Sequence, residues 1–388
     1  MIKCIKVMLL PNNKQHTKLQ QYAGAARFAY NWALSEEQKA YDAEKRFISD
    51  RELRKKFTEL RNSREYLWLL HVSNNVTKQA IKDACNAYDN FFKKLSKYPK
   101  FKSKKHSKPS FYQDPIKIRF TATQIKLEGL AGSRRNNRQK LNYIRLAEHG
   151  RIPVGVKYYN PRITFDGIHW WISVGIDVPE HVVSLSDTGV GIDLGIKELA
   201  ACSDGNTYKN INKSDSIRRL EKKKRRLQRS ISRKYLKNKK GGSYCKTNNI
   251  KKSEKLLLGV NHRLTNIRQN YLHQTTTEIV NRKPRFIILE DLNTTGMMKN
   301  KHLSKAVQQQ GLYQFRLYMT YKCHERNMPL LFADRWFPSS KLCSCCGNIK
   351  QDLKLSDRVY RCEYCGNTID RDYQAAINLR NCGEQMLI

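Results

Sequence analysis

Cysteine and glycine recur in one pattern at two places in the chain, Cys343-Ser344-Cys345-Cys346-Gly347 and Cys362-Glu363-Tyr364-Cys365-Gly366. Each place contains a Cys-x-x-Cys-Gly motif, and two such motifs at this separation are typical of a zinc site with four thiolate ligands. Because four thiolates leave no open position for a substrate, this zinc is predicted to be structural. We therefore predict a zinc ribbon in residues 339–368, with the ligands Cys343, Cys346, Cys362 and Cys365.

The glycines and the carboxylates near these motifs carry further predictions. Gly347 and Gly366 suit a tight turn in which the backbone folds over the metal. Cys345 would break the symmetry of the two motifs, so we exclude it as a ligand. The sequence Asp370-Arg371-Asp372 follows directly, and its carboxylates are groups that could perform chemistry.

The charge of the chain is far larger than solubility requires. Its 388 residues, enough for two or three domains, include 74 Lys and Arg against 34 Asp and Glu, a formal net charge of +40. Such an excess indicates a large polyanionic partner, and we predict nucleic acid. A membrane is the alternative, but no apolar run approaches the ~18 residues of a spanning helix. Residues 1–10 are apolar but interrupted by Lys3 and Lys6, which predicts a strand rather than a signal peptide.

The cysteines outside the two motifs indicate the compartment. Cys4, Cys85 and Cys202 stand singly among apolar residues, so we predict that they are small buried side chains. Unpaired thiols of this kind suit a reducing environment. We therefore expect a reducing, intracellular setting.

Helical periodicity dominates residues 12–96, which we predict to form a helical lobe. Apolar residues recur at helical spacing over residues 19–33, which indicates the first helix. A second helix is predicted after Asp50 as its N-cap, and a third from about Asn75. The aromatic residues of this lobe are predicted to pack in its core.

Strand patterns dominate residues 116–178 and predict a β-rich module. Runs of β-branched and aromatic residues bounded by turn signals predict strands over 117–120, 143–146, 162–165 and 170–174. The first strand of the chain could join them. Residues 1–11 and 97–187 would then form a β-barrel-like module, with the helical lobe inserted in it.

A different domain is predicted to begin near residue 188. Residues 190–195 form an apolar strand interrupted by Asp193, an acid that is costly to bury unless it is paired or binds a cation. A hairpin partner follows this strand. Residues 286–289 are another apolar strand, and it ends at Glu290. Acids are thus predicted within or at the end of two core strands.

The helices of this second half fall into two predicted groups. Residues 212–272 read as a basic helical hairpin. A single helix is predicted over 300–327, after the second apolar strand. Asp370 is predicted to cap the last helix, with Asp372 in its first turn.

Three sets of side chains are candidates for contact with nucleic acid. In the stretch 97–112 lysines alternate with aromatic rings, which suits a groove that follows a phosphate backbone. The basic hairpin presents many cations, and a solvated pair of packed helices is the alternative interpretation. The candidates are Lys78 and Gln79 on the helical lobe, Lys100 and Lys102 in the lysine-rich stretch, and Arg218, Arg219, Lys222, Arg225 and Arg226 in the hairpin.

Three acids could form one metal site. Asp193, Glu290 and an acid at 370–372 occupy similar settings far apart in the sequence. Clustered carboxylates raise one another's pKa unless cations neutralise them, and oxygen ligands without nearby histidine favour Mg²⁺ or Mn²⁺. Two such ions would support phosphodiester cleavage. Each acid also has a structural interpretation, as a turn residue, an edge-strand acid or a helix-start acid favoured by the dipole.

Ordered motifs give the chain a resemblance to a known family. In chain order the motifs are Gly191-Ile192-Asp193-Leu194-Gly195, Leu289-Glu290-Asp291-Leu292-Asn293, Ser339-Ser340-Lys341 with the two cysteine motifs, and Asp370-Arg371-Asp372-Tyr373-Gln374-Ala375-Ala376. In this order they resemble the motifs of the TnpB family, transposon-encoded RNA-guided nucleases related to type V CRISPR effectors. Two shorter segments of the N-terminal half also resemble that family, Phe28-Ala29-Tyr30-Asn31-Trp32 and Pro99-Lys100-Phe101-Lys102.

The resemblance implies a multidomain α/β plus β architecture. It implies an RNase H-like RuvC nuclease domain in residues 188–338 and 369–388, into which the basic hairpin and the zinc ribbon are inserted. The N-terminal β module and its helical insertion would be the wedge module and the recognition lobe. Asp193, Glu290 and Asp372 match the catalytic acids of the family, and Asp370 would be a supporting residue. Gln374 departs from the Asn that is usual at its place.

The resemblance also implies partners and a reaction. The protein would bind a guide RNA made from the transposon end and would read a short DNA motif beside its target. It would cut double-stranded target DNA with Mg²⁺ or Mn²⁺, while base pairing reads the target sequence. A membrane partner is not expected, and a homodimer is left open.

Three rival functions remain open at this point. One is an RNA-guided DNA-binding repressor without cleavage, which should have lost at least one of the three acids. Another is a miniature type V CRISPR effector, which a neighbouring repeat array would identify. The third is a guide-independent nuclease or transposase-like accessory protein with a RuvC core.

Overall fold

The chain folds into two compact units, residues 1–179 and 180–388. The structure is a computed structural model that describes residues 1–130, 141–179, 183–354 and 357–388. The predicted segment 97–187 therefore includes residues 131–140 and 180–182, which lie outside the described ranges, and the predicted segment 339–368 includes residues 355–356, which do so too.

The described part of the first unit begins with a strand, continues with helices and ends with strands. A short 3-10 segment, Arg64–His71, precedes its last helix. In chain order the elements are β1 (Ile2–Leu10), α1 (Asn13–Glu44), α2 (Asp50–Asn62), α3 (Asn74–Phe92), β2 (Ser110–Tyr112), β3 (Arg119–Phe120), β4 (Gln124–Lys126), β5 (Tyr143–Leu146), β6 (Tyr158–Phe165) and β7 (Trp170–Asp177).

The strands of this unit form a seven-stranded antiparallel sheet in the order β2-β6-β7-β1-β5-β4-β3. β1 pairs with β7 along its whole length and with β5 at its end, so the first strand of the chain lies inside the sheet. The sheet is curved, and a ring contact shows this: the centroids of Phe120 on β3 and Tyr158 on β6 lie 4.8 Å apart. These strands stand near opposite ends of the strand order, and the curvature suits a barrel-like module.

Two predictions in this unit were wrong in detail. Ser49, not Asp50, caps α2, and its hydroxyl accepts the Glu52 N–H at 3.2 Å. The strand predicted over 117–120 is limited to β3, because a turn at Asp114 accepts the N–H groups of Lys117 and Ile118.

The helices pack together and against the sheet in one hydrophobic core. Tyr22 of α1 contacts Phe111 of β2, with ring centroids 5.4 Å apart. An ion pair joins α3 to β6, since Arg162 donates to both carboxylate oxygens of Asp83. The helical segment is thus fixed to the sheet by apolar contacts and by a partly buried charge pair.

The described part of the second unit alternates strands and helices, which is typical of α/β folds. A 3-10 segment, Ile211–Lys213, precedes its first long helix. In chain order the elements are β8 (Val190–Leu194), β9 (Glu198–Cys202), β10 (Thr207–Lys209), α4 (Asp215–Lys237), β11 (Lys239–Lys240), β12 (Ser243–Tyr244), α5 (Asn248–Asn281), β13 (Ile287–Glu290), α6 (Thr294–Met297), α7 (Ser304–Gln310), α8 (Leu312–Glu325), β14 (Leu330–Ala333), β15 (Val359–Arg361), β16 (Thr368–Asp370) and α9 (Arg371–Met386).

The core of this unit is a five-stranded mixed sheet in the order β10-β9-β8-β13-β14. β8, β13 and β14 are parallel, whereas β9 and β10 are antiparallel extensions. The carboxyl ends of the parallel strands therefore meet at one edge, where ligands bind in open sheets of this kind. α5, α8 and α9 pack on the sheet and bury its apolar residues.

The single helix predicted over 300–327 was wrong. α7 ends and α8 begins at Gly311, whose φ of 71° is left-handed. This conformation closes α7 with a bond from its N–H to the Val307 carbonyl and changes the direction of the chain. Apolar periodicity on both sides of the glycine conceals such a break.

The single cysteines also differ from the prediction. Cys202 is buried and Cys85 is half-buried, but Cys4 is exposed. Cys4 lies on β1, where alternate side chains point to opposite faces. No helix among the described residues has the length and apolar character needed to cross a membrane.

Candidate metal centres and nucleic-acid surface

The two strand acids lie side by side in the second unit. Asp193 is in β8, and Glu290 is the last residue of the parallel neighbour β13. The register pairs Leu289 with Ile192, which places the next residue of each strand, Glu290 and Asp193, together. Strand pairing alone therefore brings together two acids that are far apart in the sequence.

The third acid approaches through the last helix. Asp370 caps α9 as predicted, because its Oδ1 accepts the N–H groups of Asp372 and Tyr373, both at 3.0 Å. Asp372 lies in the first turn of the helix. α9 crosses β8 so closely that a Cβ on Gly191 would lie 2.1 Å from the carbonyl oxygen of Ala376. The glycine thus permits the contact that brings the start of α9 toward the strand acids.

The electrostatics confirm that the three acids are neighbours. Burial raises the pKa of Asp193 well above its usual range, and the carboxylates of Glu290 and then Asp372 raise it further. Burial also raises the pKa of Glu290, while the hydroxyl of Ser339, which donates to its carboxylate, opposes this shift. Like charges held together in this way favour either a bound proton or a bound cation.

Two arginines lie beside the carboxylate of Asp372. Arg371 donates to its Oδ1 at 3.1 Å, and Arg358 lies 3.9 Å from its Oδ2. About one-fifth of the Asp372 side chain remains exposed to solvent. Its carboxylate can therefore still meet a ligand from solution.

The four predicted zinc ligands form a tight cluster. Their sulfur atoms all lie within 4.8 Å of one another, with Cys343 to Cys365 and Cys346 to Cys362 at 3.6 Å. Tetrahedral zinc with bonds of about 2.3 Å holds its sulfurs roughly 3.8 Å apart. Backbone N–H groups, of Cys365 first, lower the pKa of Cys362 to about 6, which favours the thiolate that zinc binds. Among the described residues, the three acids do not form a set as tight as 4.8 Å.

The two cysteine motifs adopt the same backbone. In each, the first cysteine accepts the N–H of the closing glycine, at 3.0 Å for Gly347 and 3.1 Å for Gly366. Both glycines have positive φ, 76° and 73°. Cys345 is exposed and, in the part of the chain that the structure describes, is not one of the clustered cysteines.

Gln374 links the last helix to the two cysteine motifs. Its buried Oε1 accepts from the hydroxyl of Ser344 at 3.3 Å and from the amide of Asn367 at 3.4 Å. Within the described ranges its buried Nε2 has no hydrogen-bond partner. The side chain at the position where the resemblance implies Asn therefore contacts the first cysteine motif and the residue that follows the second.

The predicted nucleic-acid contacts differ in accessibility. Lys78 and Lys100 are exposed, and Gln79 is half-buried and donates to Asp83 at 2.9 Å. Lys102 is half-buried, with its Nζ 3.5 Å from the ring centroid of Tyr30. Burial lowers the pKa of Lys102, so this side chain is engaged within the unit.

The basic hairpin presents one cationic surface. α4 and α5 pack through an apolar seam that includes Ile217, Val260 and Leu264. The predicted cations of α4 point away from this seam and are exposed. They are Arg218, Arg219, Lys222, Arg225 and Arg226.

Sequence reasoning missed the residues that support the acids. Ser339 was noted as part of a motif, but its bond to Glu290 joins residues 49 positions apart. Asp291 was noted beside Glu290, and it accepts from Arg316 at 2.7 Å and from Arg335 at 2.6 Å. Only the adjacency of these residues to predicted site residues could have signalled a role.

Three family models match parts of the chain. The one described as "Helix-turn-helix domain" covers residues 1–46, "Probable transposase" covers 172–301 and "Cas12f1-like, TNB domain" covers 313–379. In residues 1–46 the structure has β1 followed by the single long helix α1.

Relatives extend over the whole chain. A protein of Streptomyces pristinaespiralis, provisionally named RNA-guided DNA endonuclease, is 30% identical over 98% of this chain and 89% of its own. A protein of Escherichia coli K12, provisionally named RNA-guided DNA endonuclease InsQ, is 27% identical over 100% of this chain and 93% of its own. Among solved structures, the cryo-EM structure of a Cas12f1-sgRNA-target DNA complex matches with a TM-score of 0.60 at 12% identity, covering 98% of this chain and 99% of that one.

The chain thus has a mixed α/β fold similar to that of the Cas12f1 chain, with a four-cysteine cluster that fits zinc. The chain belongs to the TnpB family. The resemblance inferred from the sequence motifs is confirmed.

Proposed function

We propose that this protein is an RNA-guided DNA endonuclease of the TnpB type. The observation that carries the proposal is the convergence of Asp193, Glu290 and Asp372 at the carboxyl edge of a mixed sheet. The names of the relatives and the fold shared with the Cas12f1 complex support it. The protein's fit to a polyanion follows from its net charge of +40.

The proposed organisation follows the predicted boundaries. Residues 188–338 and 369–388 form an RNase H-like RuvC domain, with the basic hairpin in 212–272 and the zinc ribbon in 339–368. Residues 1–11 and 97–187 form the wedge module around the helical recognition lobe of 12–96.

The three acids are the proposed catalytic residues and the ligands of the catalytic cations. Their donor set consists of carboxylate oxygens, and the carboxylates of Glu290 and Asp372 contribute to the raised pKa of Asp193, which supports a site where a cation would offset their mutual repulsion. These features fit Mg²⁺ or Mn²⁺. When bound, two such ions would activate water and stabilise the leaving oxygen of a phosphodiester.

The protein's own groups prepare this site. Burial and the neighbouring carboxylates raise the pKa of Asp193, so proton binding and cation binding at this carboxyl would compete. Ser339 orients Glu290 through its hydroxyl. Arg371 and Arg358 hold Asp372 at the start of α9. The acids are therefore fixed in position by protein contacts.

The cysteine cluster is proposed to support the site through the last helix. Zinc held by Cys343, Cys346, Cys362 and Cys365 would order the ribbon, and Gln374 joins the ribbon to α9. Because Asp372 lies at the start of the same helix, ordering the ribbon also positions that acid. The zinc is proposed to be structural.

The proposed partners are a guide RNA made from the transposon end and a double-stranded DNA target beside a short motif. The exposed cations of α4 are proposed to hold the phosphate backbone, and Lys78, Gln79, Lys100 and Lys102 are weaker candidates. Pairing with the guide would select the target, so the protein needs little base-specific contact. A cytoplasmic, nucleoid-associated location is part of this proposal, and a homodimer is compatible with it.

Two measurements test the proposed function. RNA that copurifies with the protein should be a discrete species with a variable 3′ end, and its sequence defines a target. Asp193→Ala should abolish Mg²⁺-dependent cleavage of that target while retaining RNA-dependent DNA binding. Full cutting by this variant would overturn the assignment of the acids.

The rival functions give different results in the same measurements. Absence of bound RNA would favour a guide-independent nuclease or a transposase-like accessory protein. RNA-dependent binding without cleavage by the wild type would favour a repressor. A repeat array beside the gene would favour a miniature type V CRISPR effector.

A further inference from the structure

A sharp turn follows β14 at the edge of the sheet that carries the strand acids. Asp334 accepts the N–H of Phe337 at 3.0 Å through its carbonyl, and its Oδ1 accepts the N–H of Trp336 at 2.8 Å. Arg335 and Trp336 therefore occupy the tip of the turn. Since β8, β13 and β14 are parallel, this tip lies at the carboxyl edge of the sheet, where Asp193 and Glu290 also lie.

Residues at the end of β13 hold the turn on both sides of Trp336. Before it, Arg335 donates to the carboxylate of Asp291 at 2.6 Å. After it, Phe337 packs on a hydrophobic cluster and Ser339 donates to Glu290. Glu290 and Asp291 are consecutive, so the loop is tied to one point at the end of β13.

The turn exposes the indole side chain of Trp336 to solvent. Trp336 keeps 86% of its surface exposed, compared with 45% for Trp68. The preceding residue, Arg335, keeps about half of its side chain exposed while it pairs, together with Arg316, with the carboxylate of Asp291. An exposed aromatic ring on an anchored turn, next to a guanidinium group, is an arrangement that can bind unpaired nucleotides by stacking and phosphate contact.

We propose that Trp336 is a stacking platform for one unpaired base of the DNA strand that enters the acid site. The base would lie on the indole while its phosphate meets Arg335, and the strand would continue toward Asp193 and Glu290. Trp336 is thus a positioning residue that fixes which phosphodiester faces the acids. This inference rests on the proposed function and adds a contact to it.

The test combines Trp336→Ala with loss of the base. The full-length protein with its copurified RNA is given target DNA in which one abasic nucleotide is placed at successive positions of the cleaved strand. At one position the wild type should lose about 5- to 100-fold in cleavage rate, the range of one base–aromatic stack. Trp336→Ala should lose the same factor on intact DNA and nothing more on that abasic DNA.

Two variants separate stacking from folding. Trp336→Phe should restore most of the rate, because a phenyl ring also stacks. Tyr313→Ala, which removes another exposed ring of the same unit, should cleave like the wild type. All should keep the wild-type melting temperature, since the altered side chains lie in solvent. Wild-type cleavage by Trp336→Ala, or independent effects of the variant and the abasic site, would overturn the proposal.

A binding measurement keeps this proposal separate from the nuclease assignment. A mixed-sequence single-stranded DNA oligonucleotide should quench part of the tryptophan fluorescence of the full-length protein without added Mg²⁺. Trp336→Phe should lose that quenching and Trp68→Phe should retain it. This quenching, combined with no Mg²⁺-dependent cleavage of the guide-matched target by the wild type, would uphold the stacking platform and reject the nuclease. Identical quenching in wild type and Trp336→Phe would reject the platform.

Discussion

Replacing Gly191 by alanine tests the close contact between β8 and α9, which brings Asp372 toward Asp193 and Glu290. The added Cβ would lie 2.1 Å from the carbonyl oxygen of Ala376 and 2.4 Å from the backbone nitrogen of Arg380. A carbon and an oxygen need roughly 3.3 Å, so α9 and β8 must separate by roughly 1.2 Å. Both opposing atoms belong to the helix backbone, and no rotamer change can relieve the overlap.

The expected cost lies at the upper end of overpacking, about 3 kcal/mol. For a unit of this size that corresponds to a fall of roughly 6 to 12 °C in melting temperature. Because Asp372 moves with α9, cleavage at a temperature where the variant is folded should fall by about 100-fold, the effect of a displacement near 1 Å. Thermal unfolding and single-turnover cleavage of the guide-matched target measure the two effects.

Gly242→Ala is the matched control, because a Cβ there meets nothing within 4 Å. It should leave both measurements at wild-type values. A Gly191→Ala protein with unchanged melting temperature would refute the close helix–strand contact. A destabilised but fully active variant would refute the dependence of the acid site on the position of α9.

Three further predictions concern the metal centres. Without divalent cations, Asp193→Asn should raise the free energy of unfolding at pH 7 by about 1–2 kcal/mol. The raised pKa makes the wild type lose stability as pH rises from the ordinary carboxyl value through the native one; denaturation across pH checks this slope, and a wild type without it would contradict the prediction. Cys362→Ser should release the zinc and destabilise the C-terminal region, whereas exposed Cys345→Ser should do neither; zinc content and thermal unfolding decide, and retained zinc in the first variant would count against the ligand set. Ser339→Ala removes the hydrogen bond that opposes the raised pKa of Glu290, so the pH profile of cleavage should shift to higher pH with about a tenfold loss near neutrality; an unshifted profile would show that the hydroxyl does not tune this acid.

Much of the local structure could be predicted because its causes are local. Asp370 caps α9 through bonds to residues two and three positions away. The cysteine motifs repeat one turn within five residues each, so spacing alone identifies their geometry. The helix predicted over 300–327 failed because Gly311 ends one helix and starts another without interrupting the apolar pattern.

The sequence by itself determined the family, the cysteine pattern and the candidate acids, because each depends on residue types at short or ordered spacing. Only the tertiary structure decided how the acids meet. Register pairs β13 with β8, a glycine lets α9 touch the strand, and Ser339 reaches Glu290 across 49 positions. Such contacts depend on the packing of whole elements, which no local periodicity encodes. The exposed, doubly anchored Trp336 belongs to the same class, since its surroundings come from strand ends brought together by the fold.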